Sequence, residues 1–241
     1  LQAIDWDAKD ALIGSGSINC IWNGFTMEGR ENGYTFSEPY MYNEQVVVVK
    51  KDSDAKKLED LAGKTVLTQV DSAAPHVLAD EKGQKALADT FKELQTIGDY
   101  NNAFMQLESG MVDAVACDLS IASYQMAAKP DTYVKLGVLA PENYAVGFKK
   151  GDTELAKQVT DALKGLGGDG TVKQLCDKDA DQGITYDDWG LEGAAGLAAG
   201  GPARSCGPFA HRIFARSRKL AYRSTLRLRD PTNLGHRSQP R

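Results

Sequence analysis

The sequence predicts an α/β protein in which short strands alternate with amphipathic helices. The valine-rich run at 45–49 and the apolar run at 114–117 have the length and composition of buried strands. Between 153 and 166, Leu155, Val159 and Leu163 repeat at helical spacing, and Thr153 is a plausible N-cap. Strands that alternate with helices of this length are typical of βαβ units, so we expect largely parallel sheets.

The remaining elements follow from apolar runs, helical spacing and the glycines that separate them. Gly14, Gly63 and Gly110 each stand where a helical pattern stops, and glycine favours such ends. We expect strands at 19–25, 45–49, 65–67, 93–97, 114–117 and 144–148, and helices at 7–13, 73–88, 101–108, 119–127, 155–166 and 172–176.

Composition excludes several classes of protein. Of 241 residues, 42% are hydrophobic and 25% are charged, as in soluble globular domains. No apolar run reaches the roughly 18 residues of a membrane span. Leu1 leads directly into acidic residues, so we expect any export signal to lie upstream of it. The four cysteines form no CxxC pair and no metal-ligand spacing with histidine, and Cys20 and Cys117 read as buried thiols.

Charge divides the chain into two parts. Residues 191–241 contain ten Lys or Arg and two acids, a charge of +8, which leaves −13 on the first 190 residues of a chain whose total is −5. An acidic globular part argues against nucleic-acid binding. For 191–241 we expect a disordered basic tail without a role in function. Binding to anionic lipid or nucleic acid, and an origin in a cloning junction or a shifted reading frame, stay open as alternatives.

The turns that follow the strands contain side chains suited to a small zwitterion. Arg30 offers a fixed cation, Asp118 an acid and Trp6 an aromatic surface, while Ser72 and Ala73 begin a helix whose free N–H groups favour an anion. Each also has a structural alternative. Asp118 and Ser72 are possible N-caps, Arg30 a possible solvated loop charge, and Trp6 a possible lid of the core.

Several segments, taken in order, resemble the family 3 extracellular solute-binding proteins, the amino-acid receptors of ABC importers. The resemblance covers residues 1–190. It rests on the strand at 18–26 with Gly24 and Thr26, on Arg30, and on the aromatic-Ser-x-Pro-Tyr segment at 36–40. It continues through the Leu-x-Asp-Leu-x-Gly-Lys-like segment at 58–64, the Gly-x-x-Asp-Ala-Val segment at 110–115 with the acid at 118, the strand at 143–151, the glycines at 168–170 and the tryptophan at 189.

The resemblance implies a periplasmic-binding-protein-like fold of type II, with two α/β lobes joined by two hinge strands. Lobe one would consist of residues 1–45 and the return segment 141–190, lobe two of residues 46–140, and 191–241 would be the tail. The hinge strands would lie near 42–48 and 140–146.

The resemblance also implies a role for each residue of the site. The carboxylate of a polar amino acid would be held by Arg30 and by the backbone N–H groups of Thr26 and Ala73. The ammonium would be held by the Gly24 carbonyl, the Thr26 hydroxyl and Asp118.

Three further positions complete the implied site. Trp6 would stack on the ligand, and Gln69 and Ser72 would set side-chain selectivity. No catalytic residue, metal or cofactor is implied, so we expect no enzymatic activity.

The sequence departs from the family pattern in three places. The spacing from Gly24 to Arg30 is one residue shorter than the common form, and Gly29 would absorb the difference. Asp71, Ser72 and Ala73 replace a Gly-x-Ser turn, so the carboxylate of Asp71 would repel the ligand unless it points away. The first βαβ unit of the family, on the order of 30 residues or more, is not found in the sequence, and without it we expect weak binding or none.

The resemblance therefore predicts a binding protein that delivers a polar amino acid to the membrane permease of an ABC transporter. It would act in the periplasm, or as a lipoprotein on the outer face of the cytoplasmic membrane, and would be a monomer at full length. Two alternatives stay open: a receptor domain of a sensor or channel, and a small dehydratase-like enzyme on the same fold.

Overall fold

The computed structural model describes residues 1–180 and 184–191. Its strands are β1 (Ile21–Thr26), β2 (Tyr34–Phe36), β3 (Met41–Lys50), β4 (Thr65–Gln69), β5 (Glu93–Ile97), β6 (Ala114–Asp118) and β7 (Tyr133–Lys149). Its α-helices are α1 (Lys9–Ser15), α2 (Ala73–Ala79), α3 (Lys85–Ala88), α4 (Tyr100–Ser109), α5 (Leu119–Ala128), α6 (Thr153–Gly168) and α7 (Thr171–Lys178). Short 3₁₀ turns lie at Trp6–Ala8, Leu58–Leu61 and Tyr186–Asp188.

The strands form one mixed sheet in the order β1-β7-β3-β6-β4-β5, and β2 also pairs with β7. Only β4 pairs in parallel, with β5 and β6, among the described strands. The other pairs are antiparallel, so the expectation of largely parallel sheets was wrong. Helices connect β4 to β5 and β5 to β6, and they supply the crossovers that parallel pairing requires. Strands β1, β2 and β3 follow one another without a helix, and they pair with β7 or β6 rather than with one another.

The two longest strands, β3 and β7, pair with each other along almost all of β3. Met41 lies opposite Tyr144, and Lys50 lies opposite Tyr133, with two irregularities between them. Of the two segments expected as hinges, 42–48 falls within this ladder, and 140–146 lies in β7 with only 140–144 in the ladder. The first half of β7 was missed because 133–143 contains Pro141 and charged residues rather than an apolar run. It is a strand because β3 offers it hydrogen bonds over ten residues.

The valine run of β3 is buried on both faces of the sheet. Val46 and Val48 pack with Phe104 and Leu107 of α4 on one face. Val47 and Val49 pack on the opposite face, beneath α2 and α3. Because successive side chains of a strand point to opposite faces, a strand covered on both sides reads as a continuous apolar run.

The other half of the sheet carries two further apolar clusters. One of them gathers Val146 and Phe148 of β7 with Leu163 of α6 and with Leu191. The other gathers Phe25 and Ile21 of β1 with Tyr34 and Ile13. The division of the chain into two lobes stays a prediction, and the separation of these clusters from those around β3 and β4 supports it.

Helix α6 turns a slightly different face to the sheet than the sequence predicts. Ala156, Thr160 and Leu163 are its buried residues, whereas Ala162 is exposed. Thr160 is buried because its hydroxyl accepts a hydrogen bond from the backbone N–H of Glu38 and donates to the Ala156 carbonyl. The helix begins after Asp152 without a side-chain cap, so the cap expected from Thr153 was wrong.

No helix among residues 1–180 and 184–191 is long and apolar enough to cross a membrane. Cys117 is a buried free thiol, as expected, and Cys20 is a half-buried one. The predicted basic tail lies outside the described residues, except for its first residue, Leu191, which is buried.

Candidate functional site

An aromatic cluster forms one side of the candidate site. Trp6 meets the edge of Phe25 at a ring-centroid distance of 5.6 Å, close to a right angle. The guanidinium carbon of Arg30 lies 5.1 Å from the Phe25 centroid, within cation–π range. Trp6 and Arg30 are separated by 24 positions in sequence, and both contact the Phe25 ring on β1.

The backbone carbonyl of Asp71, in the turn between β4 and α2, accepts hydrogen bonds from both residues. The Trp6 indole Nε1 donates to it at 3.0 Å, and Nη2 of Arg30 donates at 3.1 Å. Nη1 of Arg30 donates to the Thr26 carbonyl at 3.1 Å. Burial lowers the pKa of Arg30, and nearby acids, led by Glu142, oppose that effect. The guanidinium is thus partly desolvated rather than a solvated loop charge.

The Asp71 carboxylate faces a lysine. Nζ of Lys9 lies 3.4 Å from Asp71 Oδ2 and 5.2 Å from the centre of the Trp6 ring. Lys9 is 4% exposed, which is rare for lysine without such partners. The repulsion expected from Asp71 is therefore balanced by a buried cation that the sequence reasoning missed. Lys9 lies among acidic residues in a short helix, where a solvated face is the usual interpretation.

Asp118 ends β6, and its carboxylate accepts hydrogen bonds from two other strands. Gln45 of β3 donates from Nε2 at 2.8 Å, Tyr144 of β7 donates from its hydroxyl at 3.1 Å, and Asn43 of β3 donates at 3.3 Å. No side-chain bond caps α5, so the capping alternative does not hold. Burial raises the pKa of Asp118, and the hydrogen bonds that it receives oppose that rise.

Glu142 of β7 is a second buried acid at this place, and the sequence reasoning missed it. It is 3% exposed and accepts hydrogen bonds from Nδ2 of Asn43 and, at 2.9 Å, from Nε2 of Gln45. Burial raises the pKa of Glu142 to about 8, and the charge of Asp118 adds to the rise. Its neighbours Pro141 and Asn143 are typical of a loop, and only the pairing of β7 with β3 makes this position internal.

The turn before α2 contains the remaining predicted residues. Ser72 is buried, and its hydroxyl donates to the Gln69 carbonyl at 2.9 Å and accepts from the Tyr100 hydroxyl at 3.2 Å. It makes no capping bond to α2. The Gln69 amide donates to the Gly98 carbonyl at 2.9 Å. Ala73 is the buried first residue of α2, with its N–H in the first turn.

Gly24 connects the aromatic cluster to the carboxylates. Its φ is +85°, and a Cβ there would lie 3.1 Å from the ring of Tyr144, the donor to Asp118. Thr26, two residues along β1, lies opposite Tyr144 in the sheet and is buried. The strand pair β1–β7 therefore brings Arg30 and Asp118 into one neighbourhood.

We expect Gly24→Ala to destabilise the protein more than Gly29→Ala. Both glycines have φ near +80°, where an alanine costs roughly 1–2 kcal/mol. A Cβ at Gly29 meets nothing within 4 Å, whereas one at Gly24 presses on Tyr144. Thermal unfolding of the two variants measures the difference. Equal losses in melting temperature would show that the Tyr144 contact is unimportant.

The chain is similar to a known protein family and to solved structures. Residues 1–179 match the model of the bacterial extracellular solute-binding proteins, family 3. A histidine-bound substrate-binding protein of an ABC uptake transporter from Streptococcus pneumoniae has a similar structure. Its TM-score is 0.68 at 34% identity, over 73% of this chain and 74% of that one. The fold is that of the type II periplasmic binding proteins, as the family resemblance implied.

Two curated relatives come from Bacillus subtilis. The glutamine-binding protein of an ABC transporter is 30% identical over 169 residues, 69% of this chain and 59% of that protein. An L-cystine-binding protein is 28% identical over 176 residues, 72% of this chain and 62% of that protein. The chain thus spans about three fifths of the length of these relatives. With its family model matched over residues 1–179, the chain belongs to the bacterial extracellular solute-binding proteins of family 3.

Proposed function

We propose that this protein binds a polar amino acid outside the cytoplasm and delivers it to the permease of an ABC importer. One observation carries the proposal: a partly desolvated guanidinium, Arg30, and a desolvated carboxylate, Asp118, lie in one neighbourhood of the β1–β7 strand pair. Opposite fixed charges there complement the two charges of an amino acid. The names of the relatives, which bind glutamine, cystine or histidine, support the same class of ligand.

The proposed roles follow the position of each residue. Arg30 receives the ligand carboxylate, joined by the N–H groups of Thr26 and Ala73. Asp118 receives the ammonium, joined by the Gly24 carbonyl and the Thr26 hydroxyl. Because Arg30 already bonds to backbone carbonyls, its guanidinium is held in place before the ligand arrives, which lowers the entropic cost of binding.

Three further residues shape the ligand side chain in this proposal. Trp6 offers an aromatic surface held by its bond to the Asp71 carbonyl. Ser72 and Gln69 set selectivity from the opposite turn. The Gln69 amide already donates to the Gly98 carbonyl. We therefore expect Gln69 to affect selectivity through the place that its side chain occupies, rather than through a hydrogen bond from a free amide.

The proposal extends to how the protein works. Residues 1–45 with 141–190, and residues 46–140, form two lobes that close on the ligand around the paired strands β3 and β7. The protein acts as a monomer in the periplasm or as a lipoprotein on the outer face of the membrane. We propose no enzymatic activity, since the relatives are named as binding proteins.

Calorimetric titration of the full-length protein with a panel of polar amino acids tests the function. Tight binding of one or a few members is expected, and no binding across the panel would overturn the proposal. Substrate turnover in the same samples would favour the dehydratase-like alternative instead.

We expect Asp118→Asn to weaken binding of the selected amino acid by about tenfold or more, because a charge-assisted hydrogen bond is worth roughly 1.5–3 kcal/mol. The melting temperature should hold or rise, since the change removes one of two adjoining buried acids. Asp99→Asn is the matched control: Asp99 precedes α4 as Asp118 precedes α5, and it caps that helix through the Asn102 N–H. Equal affinity of the two variants would remove Asp118 from the site.

A further inference from the structure

Two carboxyl groups share one set of donors where β3, β6 and β7 meet. Nε2 of Gln45 donates to Asp118 Oδ1 at 2.8 Å and to Glu142 Oε1 at 2.9 Å. Nδ2 of Asn43 bonds to the same two oxygens. Because both oxygens accept from the same two nitrogens, the carboxyl groups lie close together, and a hydrogen bond between them contributes to the raised pKa of Glu142. Two carboxylates can form such a bond only when one of them holds a proton.

Gln45 supplies an independent indication that a further donor belongs here. Its side chain is fully buried, and its Oε1 has no hydrogen-bond partner among the described residues. Leaving a buried carbonyl unpaired is unfavourable, because the oxygen loses its hydrogen bonds to water without a replacement. A rotation of the amide that exchanges Oε1 and Nε2 would not solve this, because Nε2 already donates to both carboxyl groups. An acceptor within an acidic cluster is suited to a group that brings N–H donors and positive charge.

The charges that face the pair leave it with an excess of negative charge. Arg30 is electrostatically coupled to both acids and favours their ionised forms. Among the described residues, three further titratable groups that face Asp118 are uncharged at neutral pH, since burial raises the pKa of each well above its ordinary value. These groups are Tyr100 of α4, Cys117 of β6 and Tyr144 of β7. One cation cannot balance two ionised carboxylates, and a shared proton removes the excess.

We propose that Asp118 and Glu142 share one proton in the unliganded protein, and that the cationic ammonium of the ligand displaces it on binding. The proposal rests on the proposed function and adds a second acid, Glu142, to the site. In the displacement, the proton leaves the carboxyl pair for solvent, and the ammonium takes its place as the positive charge beside the two carboxylates. No other covalent bond is made or broken.

Thermodynamic linkage between proton and ligand binding determines how amino-acid affinity changes with pH. A ligand that binds the ionised pair more tightly lowers its proton affinity, and loss of the proton strengthens ligand binding by the same factor. Because burial raises the pKa of Glu142 to about 8, the pair still holds its proton near neutral pH. Amino-acid affinity should therefore rise as the pH increases from 6 toward about 8, and should level above that value.

The first test needs no ligand. Carbon-13 NMR of side-chain carboxyl groups should show one glutamate that titrates near pH 8 and that is missing in Glu142→Gln. This variant imitates the protonated acid in shape and hydrogen bonding, so it should fold. Glu44→Gln on β3 is the matched control, since Glu44 pairs with Lys135 rather than with the buried acids. A Glu142 resonance that titrates at the ordinary value of about 4.3 would overturn the shared proton.

The second test uses the ligand that the panel identifies. Calorimetric titrations at pH 7 in buffers of different ionisation enthalpy should show release of a fraction of a proton per bound amino acid. The release should vanish in Glu142→Gln and persist in Glu44→Gln. Equal release in wild type and Glu142→Gln, or none in wild type, would overturn the displacement.

The two tests separate this inference from the function on which it rests. A protein that binds no amino acid refutes the proposed function and the displacement, while the NMR titration still decides whether the acids share a proton. A protein that binds an amino acid without proton release keeps the proposed function and loses the inference.

Discussion

Replacement of Arg30 by alanine should weaken amino-acid binding by at least about thirtyfold. Removing one partner of a buried, hydrogen-bonded ion pair costs roughly 2–5 kcal/mol, and each 1.4 kcal/mol is about tenfold in affinity. The effect should be large because Arg30 is partly desolvated and its guanidinium is held by the carbonyls of Thr26 and Asp71. Calorimetric titration of the full-length variant with the selected amino acid measures it.

Arg30→Lys is the informative companion to the alanine variant. Lysine keeps the charge but cannot bond to two carbonyls and a carboxylate with one planar fork, so its affinity should lie between those of wild type and Arg30→Ala. Both variants should be checked by thermal unfolding, because Arg30 also joins β1 to the turn at Asp71. Wild-type affinity in the folded alanine variant would show that Arg30 only supports that turn.

Replacement of Gly147 by alanine should lower the melting temperature by about 5–10 °C. Gly147 lies in the buried part of β7, and a Cβ there would come within 2.6 Å of the Phe25 ring. That ring cannot move aside easily, because it packs against Tyr34 and Phe36 with centroid distances of 5.0 and 5.6 Å. Overpacking of this kind costs about 1–3 kcal/mol or more, which is several degrees for a domain of this size.

A matched glycine shows whether the loss comes from the Phe25 contact. Gly165 lies on the exposed face of α6, and a Cβ there meets nothing within 4 Å. Gly165→Ala should therefore leave the protein equally stable or slightly more stable, because alanine favours the helix. If Gly147→Ala and Gly165→Ala unfold at the same temperature, the packing of β1 on β7 is looser than the structure indicates. Gly147→Ala should also weaken ligand binding, since Phe25 lies under Arg30.

Local sequence pattern was enough to identify most of the elements. The strand at 93–97 and the helices α4 and α5 were predicted to within about one residue at each end. A glycine follows the strand and α4, and apolar residues mark α5. The family pattern likewise identified Arg30 and Asp118 as candidates from their spacing to Gly24 and to the Asp-Ala-Val segment. These features depend on neighbours along the chain, which a sequence displays directly.

Other features depend on partners that are distant in sequence. The first half of β7 lacks an apolar run and is a strand only because β3 pairs with it, and that pairing also makes the sheet largely antiparallel. The same ladder brings Glu142 beside Asp118 and fills the space around both with Asn43 and Gln45.

The sequence by itself determined the fold family and most of the elements, and it identified Arg30 and Asp118 as candidate site residues. Tertiary structure alone decided that Lys9 neutralises Asp71 and that Glu142 joins Asp118 as a second buried acid. The physical reason is that helix and strand formation is governed largely by side-chain pattern over a few residues. The ionisation of a carboxyl or an amine is governed by burial and by charges within a few ångströms, whatever their separation along the chain.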